Sequence, residues 1–79
     1  MSQSNIGAMI RRLRISRHWT QQELAELCSF PGPWTVSRIE KQGTDSIHAL
    51  EIVCKVLSIE VWELLRDAAE KNITENRQA

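Results

Sequence analysis

The stretch from Thr20 to Lys41, TQQELAELCSFPGPWTVSRIEK, decides the fold. Its opening T-Q-Q-E has the pattern of a capping box, in which the Thr20 hydroxyl accepts from the Glu23 amide and the Glu23 carboxylate reaches back, so a helix begins here. Leu24, Ala25, Leu27 and Cys28 form the inner face of that helix, and the F-P-G-P breaker that follows ends it near Ser29. Pro33 suits the first position of a new helix, where its missing amide hydrogen costs nothing, and Gly32 is acceptable just before it. This next helix runs from about Pro33 to Lys41, turns Val36 and Ile39 inward, and stops at Gln42 and Gly43, with Gly43 expected as a left-handed cap.

Three further helices flank this pair. In Ile6 to Arg17, the apolar residues Ile6, Met9, Ile10 and Leu13 recur at i, i+3, i+4 and i+7, which predicts one amphipathic helix flanked by Arg11, Arg12 and Arg14. Asp45 or Ser46 caps another, in which Ile47, Leu50, Val53, Cys54 and Leu57 keep helical spacing and Ile52 and Val56 crowd it further, so most of it should be buried. A last helix is expected from about Glu60 to Lys71, with Val61, Leu64, Leu65 and Ala68 inside. The expected organisation is all-α: a flexible N-terminus over 1–5, one domain over 6–71, and a disordered tail over 72–79 that lacks an apolar stripe.

Composition bounds what such a domain does. The chain has 79 residues, of which 42% are apolar, enough for one core and no second domain. A small core is marginally stable alone, which favours association with a partner subunit. No apolar run approaches the length of a membrane span and no signal peptide is visible, so the sequence reads as a soluble cytoplasmic protein. Cys28 and Cys54 lie far apart at apolar helical positions without ligand spacing, and they read as buried thiols rather than a metal site. No phosphate loop, nucleophile elbow or metal-protease pattern appears, so no catalytic set and no cofactor are expected. Net charge is zero, but it is unevenly divided: residues 1–41 carry six Arg and Lys against three Glu, and residues 42–79 carry four against seven Asp and Glu. A basic half and an acidic half suit a molecule that turns one face to phosphates.

From Ile6 to Leu65 the sequence resembles the phage-repressor and Cro type of helix-turn-helix domain, the XRE family. The stretches I-G-A-M-I-R-R-L-R, T-Q-Q-E-L-A, V-S-R-I-E-K and W-E-L-L fall in that family's order and at about its spacing. The resemblance implies a compact five-helix, lambda-repressor-like fold, a homodimer on a roughly two-fold DNA operator, and recognition residues on the third helix in the major groove. It also implies that Gln21 grips a phosphate at the start of helix two, beside Thr20, that Lys41 contacts another phosphate, and that Arg14 and Glu40 form an ion pair tying helix one to the end of helix three. The sequence departs from the family in three places. The turn between Ala25 and Val36 is one residue longer, with P-G-P in place of small residues and a Ser or Thr cap. Pro33 stands where relatives often carry a base-contacting glutamine. His18 stands where they usually have glycine, which predicts a left-handed residue ending helix one.

The candidate DNA-contacting set is therefore Thr20, Gln21, Trp34, Thr35, Ser37, Arg38 and Lys41, with Arg14 and Glu40 as a structural pair. Ser37 and Arg38 lie opposite Val36 and Ile39, and for Arg38 a base or phosphate contact outweighs a merely solvated side chain. Trp34 has two readings: it stacks on a sugar or touches a thymine methyl, or it covers the lengthened turn. Arg11, Arg12 and Arg17 read as the solvated face of a helix, and Trp19 as a core plug between helices one and two. Trp62 marks either the edge of the core or a dimer surface. The rival function is a protein-interaction module on the same scaffold, favoured by zero net charge and by P-G-P with Trp34.

Overall fold

The computed structural model describes residues 5–66 and residue 69. Its elements are α1 (Asn5–Ser16), α2 (Gln21–Leu27), α3 (Pro33–Gln42), α4 (Ile47–Leu57) and a fifth helix, α5, over 61–66. Ala68 and Lys71, assigned to the last helix from sequence, lie outside the described residues, as do residues 1–4 and the tail over 72–79.

Capping explains most of the boundaries. The reciprocal box at α2 is complete, with Glu23 N donating to Thr20 Oγ1 at 3.0 Å and Thr20 N donating to Glu23 Oε1 at 2.7 Å. Ser46 caps α4 through its hydroxyl, which accepts from Ala49 N at 3.1 Å. At α5 the Glu63 carboxylate accepts from Glu60 N at 2.9 Å. Helices α1, α2 and α4 end alike. His18, Ser29 and Ser58 take φ of 60°, 60° and 62°, and the next amide reaches back five residues: Trp19 N to Arg14 O, Phe30 N to Ala25 O, Ile59 N to Cys54 O. This is the Schellman arrangement, in which the residue after the left-handed position packs back on the helix. Trp19, Phe30 and Ile59 all pack against the core, and this apolar contact offsets the strain of three non-glycine residues in left-handed backbone.

One cluster joins all five helices: Ile10 from α1, Leu24 and Ala25 from α2 with Cys28 just after it, Val36 and Ile39 from α3, Leu50, Val53, Cys54 and Leu57 from α4, and Leu64 from α5. Several apolar residues placed inside by periodicity are outside. Leu27, Ile47 and Leu65 are exposed, because short helices bury a narrow stripe and these three lie at its margin. Gly43 does have positive φ, 75°, but its ψ of −168° is extended rather than left-handed helical. That region is open essentially to glycine alone, and the Gly43 amide still donates to the Ile39 carbonyl. Among the described residues no helix is long and apolar enough to cross a membrane.

Candidate nucleic-acid interface

Helix α3 is gripped from behind. Glu40, on its inner side, is 2% exposed, and its carboxylate accepts from Arg14 Nε at 2.6 Å and Arg14 Nη2 at 3.2 Å. Arg14, itself buried, spends its remaining nitrogen on the Trp19 carbonyl at 2.7 Å. A planar guanidinium matched to a carboxylate in this forked way fixes orientation as well as distance. Gln21 Nε2 adds a third hydrogen bond to Glu40 Oε1 at 3.1 Å, which draws the start of α2 beside the C-terminal half of α3.

Gly7 brings α1 against the same place. A Cβ there would stand 2.3 Å from the Glu40 carbonyl oxygen and 2.6 Å from that of Ile39, so only glycine allows the two backbones to meet. The sequence carried a weak signal of this contact, since a glycine inside a helical pattern costs stability and usually has a packing reason.

With its inner side fixed, α3 presents a defined outer side. Successive helical residues turn by about 100°, so Trp34, Ser37, Arg38 and Lys41 share one face, opposite Val36, Ile39 and Glu40. Trp34, Arg38 and Lys41 are exposed and Ser37 is half-buried. Thr20 is exposed, with its hydroxyl engaged in the capping box, and Gln21 is half-buried against Glu40. Thr35 differs from the rest: its Oγ1 is turned inward and has no hydrogen-bond partner among the described residues.

One of the three arginines read as a solvated basic face departs from that reading. Arg11 and Arg12 are exposed, but Arg17 is half-buried. It donates from Nη1 to Leu13 O at 3.0 Å and from Nη2 to Leu57 O, and its guanidinium lies 5.9 Å from the Trp19 ring centroid. Arg17 therefore ties α1 to the end of α4. Nothing in its sequence context distinguished it from its neighbours, because the partner is a main-chain carbonyl forty residues away.

Trp62, on α5, is 58% exposed, with the Arg66 guanidinium 5.0 Å above its ring. The thiols are buried. Desolvation pushes Cys28 up from 9.0 to about 11, and raises Cys54 as well, with a smaller contribution from the Glu60 charge. Neither suits a nucleophile or a thiolate ligand. Among the described residues no three of His, Cys, Asp and Glu are grouped to hold a metal ion.

Neither a protein-family model nor a curated protein matches the chain in sequence. Solved structures do. The clp gene regulator ClgR from Corynebacterium glutamicum aligns at 30% identity and TM-score 0.76, over 86% of this chain and 88% of that one. SinR, the master regulator for biofilm formation, solved in complex with DNA, aligns at 35% identity and TM-score 0.68, over 76% of this chain and 97% of that one. The chain belongs to the XRE-type helix-turn-helix family. A third similar member is the restriction-modification controller protein C.AhdI from Aeromonas hydrophila, at 26% identity and TM-score 0.70 over 77% of this chain and 92% of that one. Among XRE-type domains the two helices of the motif are α2 and α3 here, so the outer face bearing Trp34, Ser37, Arg38 and Lys41 belongs to the second helix of the motif.

Proposed function

We propose that this XRE-type protein is a sequence-specific transcription regulator that binds double-stranded DNA as a homodimer, with α3 in the major groove. The observation that carries this reading is the outer face of α3, which exposes Trp34, Arg38 and Lys41 while its inner side is locked by Glu40, Arg14 and Gln21. A rigidly held helix with exposed donors at successive turns reads base edges with little ordering cost on binding. The likeness to SinR, solved with DNA, supports it.

Arg38, near the middle of the face, forms two hydrogen bonds to guanine, and Ser37 beside it contacts a neighbouring base edge. Lys41 neutralises a phosphate at the groove wall. Gln21 carries a second N–H on the nitrogen that already donates to Glu40, and that hydrogen meets a phosphate next to Thr20. Thr35 joins the interface by rotating its inward hydroxyl to an acceptor on the DNA. Dimerisation uses α5, where Trp62 and Leu65, three residues apart, leave apolar surface exposed. In this reading the protein works in the cytoplasm, without a cofactor and without catalysis.

The test is a titration of labelled duplex DNA, generic and preferred, at two salt concentrations. Binding that weakens with salt on both, and is tighter on the preferred sequence, is the expected result. Absence of salt-dependent binding on any duplex overturns the reading in favour of a protein-interaction module.

A further inference from the structure

Trp34 is 58% exposed, at the start of the outer face of α3 and in line with Arg38 and Lys41. Its setting is unusual in two respects. Pro33, the first residue of α3, fixes the backbone entering the helix and offers no donor. Gly32, in extended conformation before it, leaves a space that the indole uses. A Cβ at Gly32 would lie 3.0 Å from both Trp34 Cδ1 and Trp34 Nε1, and no other atom of the indole comes within 4 Å of that point. The five-membered edge of the ring, which carries its single hydrogen-bond donor, is therefore laid against the turn. The six-membered ring, wholly apolar, points away from it.

We propose that Trp34 is a specificity-determining residue that reads the 5-methyl group of a thymine in the major groove. This inference rests on the DNA-binding reading above. An apolar ring presented at the start of a recognition helix has nothing to offer the donors and acceptors of guanine, adenine or cytosine, and would strip water from them without replacement. The thymine methyl is the apolar group on the base edges of that groove, and burying it against the ring removes both from water. The P-G-P turn thus orients an aromatic side chain directly after Pro33, which itself offers no donor.

The experiment uses a preferred duplex selected from a random pool, remade with deoxyuridine replacing thymine at one position at a time. Uracil keeps every hydrogen-bonding group and loses only the methyl. For the wild-type chain, one position per half-site is expected to lose affinity roughly fourfold on this replacement, about the effect of one buried methyl group. Trp34→Ala should bind the thymine and uracil duplexes equally while its thermal melt is unchanged, because the side chain is exposed. Gly32→Ala, whose Cβ would crowd the five-membered edge at 3.0 Å and shift it by a few tenths of an ångström, should shrink the thymine-to-uracil ratio without abolishing binding. If no position responds to uracil, or if the response persists in Trp34→Ala, the proposal is overturned. A wild-type chain that fails to bind the unmodified duplex would instead overturn the DNA-binding reading itself.

Discussion

Replacing Glu40 with alanine isolates the contact that holds α3 in place. The substitution removes a carboxylate that is 2% exposed and accepts hydrogen bonds from Arg14 Nε, Arg14 Nη2 and Gln21 Nε2. Arg14 keeps only its bond to the Trp19 carbonyl and is left as a buried cation without a counter-charge. Removing one partner of a buried pair costs about 3–5 kcal/mol, and the lower end applies here because the Arg14 side chain retains a little exposure. For a domain of this size each kcal/mol moves the melting temperature by about 4–8 °C, so a loss of about 3 kcal/mol lowers Tm by roughly 12–24 °C. Circular dichroism melts and urea titrations measure it directly. The double variant Arg14→Met with Glu40→Leu, which removes both charges and restores apolar volume, should recover most of the loss. DNA affinity of Glu40→Ala, measured well below its melting point, should fall on all sequences alike, since α3 and Gln21 lose their common anchor. A Tm change below about 4 °C would refute the reasoning, because it would mean that Arg14 finds water or another partner at less than about 1 kcal/mol.

Reading and gripping are separable on the outer face. Arg38→Ala should cost about 1–3 kcal/mol on the preferred site and much less on unrelated DNA, whereas Lys41→Ala should weaken both and reduce the salt slope by about one, and Gln21→Ala should weaken both with the slope unchanged. Equal losses for Arg38→Ala on every sequence would make it a phosphate contact. Thr35→Val removes a hydroxyl that is inward and unpartnered, so the free protein should hold or gain up to about 1–3 kcal/mol of stability in urea titrations while its DNA affinity falls. Unchanged affinity would remove Thr35 from the interface. Gly7→Ala should lower stability by about 1–3 kcal/mol despite alanine's better helix propensity, because the new Cβ meets main chain rather than a flexible side chain; a rise in Tm would contradict the close approach of α1 and α3. His18→Gly relieves a left-handed residue and should stabilise the chain by roughly 0.5–1 kcal/mol once glycine's own entropy is set against the relief. A thermal melt that falls instead would show that the His18 side chain contributes more than its backbone costs.

The local signals in the sequence were strong where they were chemical. T-Q-Q-E and the proline after Gly32 placed the starts of α2 and α3, and His18 was legible as a left-handed residue because glycine is usual at its position in the family. Ser29 and Ser58 take the same conformation without such a clue, since what stabilises them is the docking of Phe30 and Ile59 on a core assembled from distant helices. Apolar periodicity overstated burial at Leu27, Ile47 and Leu65 because a stripe gives an average direction and not the width of the groove that receives it. At the candidate site, the outer face of α3 could be read from the inward positions of Val36 and Ile39. The link from Gln21 to Glu40, the role of Arg17 and the seat of Trp34 on Gly32 could not, because each depends on a geometry between residues that no local pattern encodes.

Selection of bound duplexes from a random pool by the purified full chain tests the central claim most directly, that α3 reads the major groove from a two-fold dimer. The expected result is a symmetric consensus with two half-sites about one helical turn apart, each containing a guanine whose enrichment is lost in Arg38→Ala. A pool that emerges without enriched sequence, or a consensus that Arg38→Ala, Ser37→Ala and Trp34→Ala all leave unchanged, would contradict it.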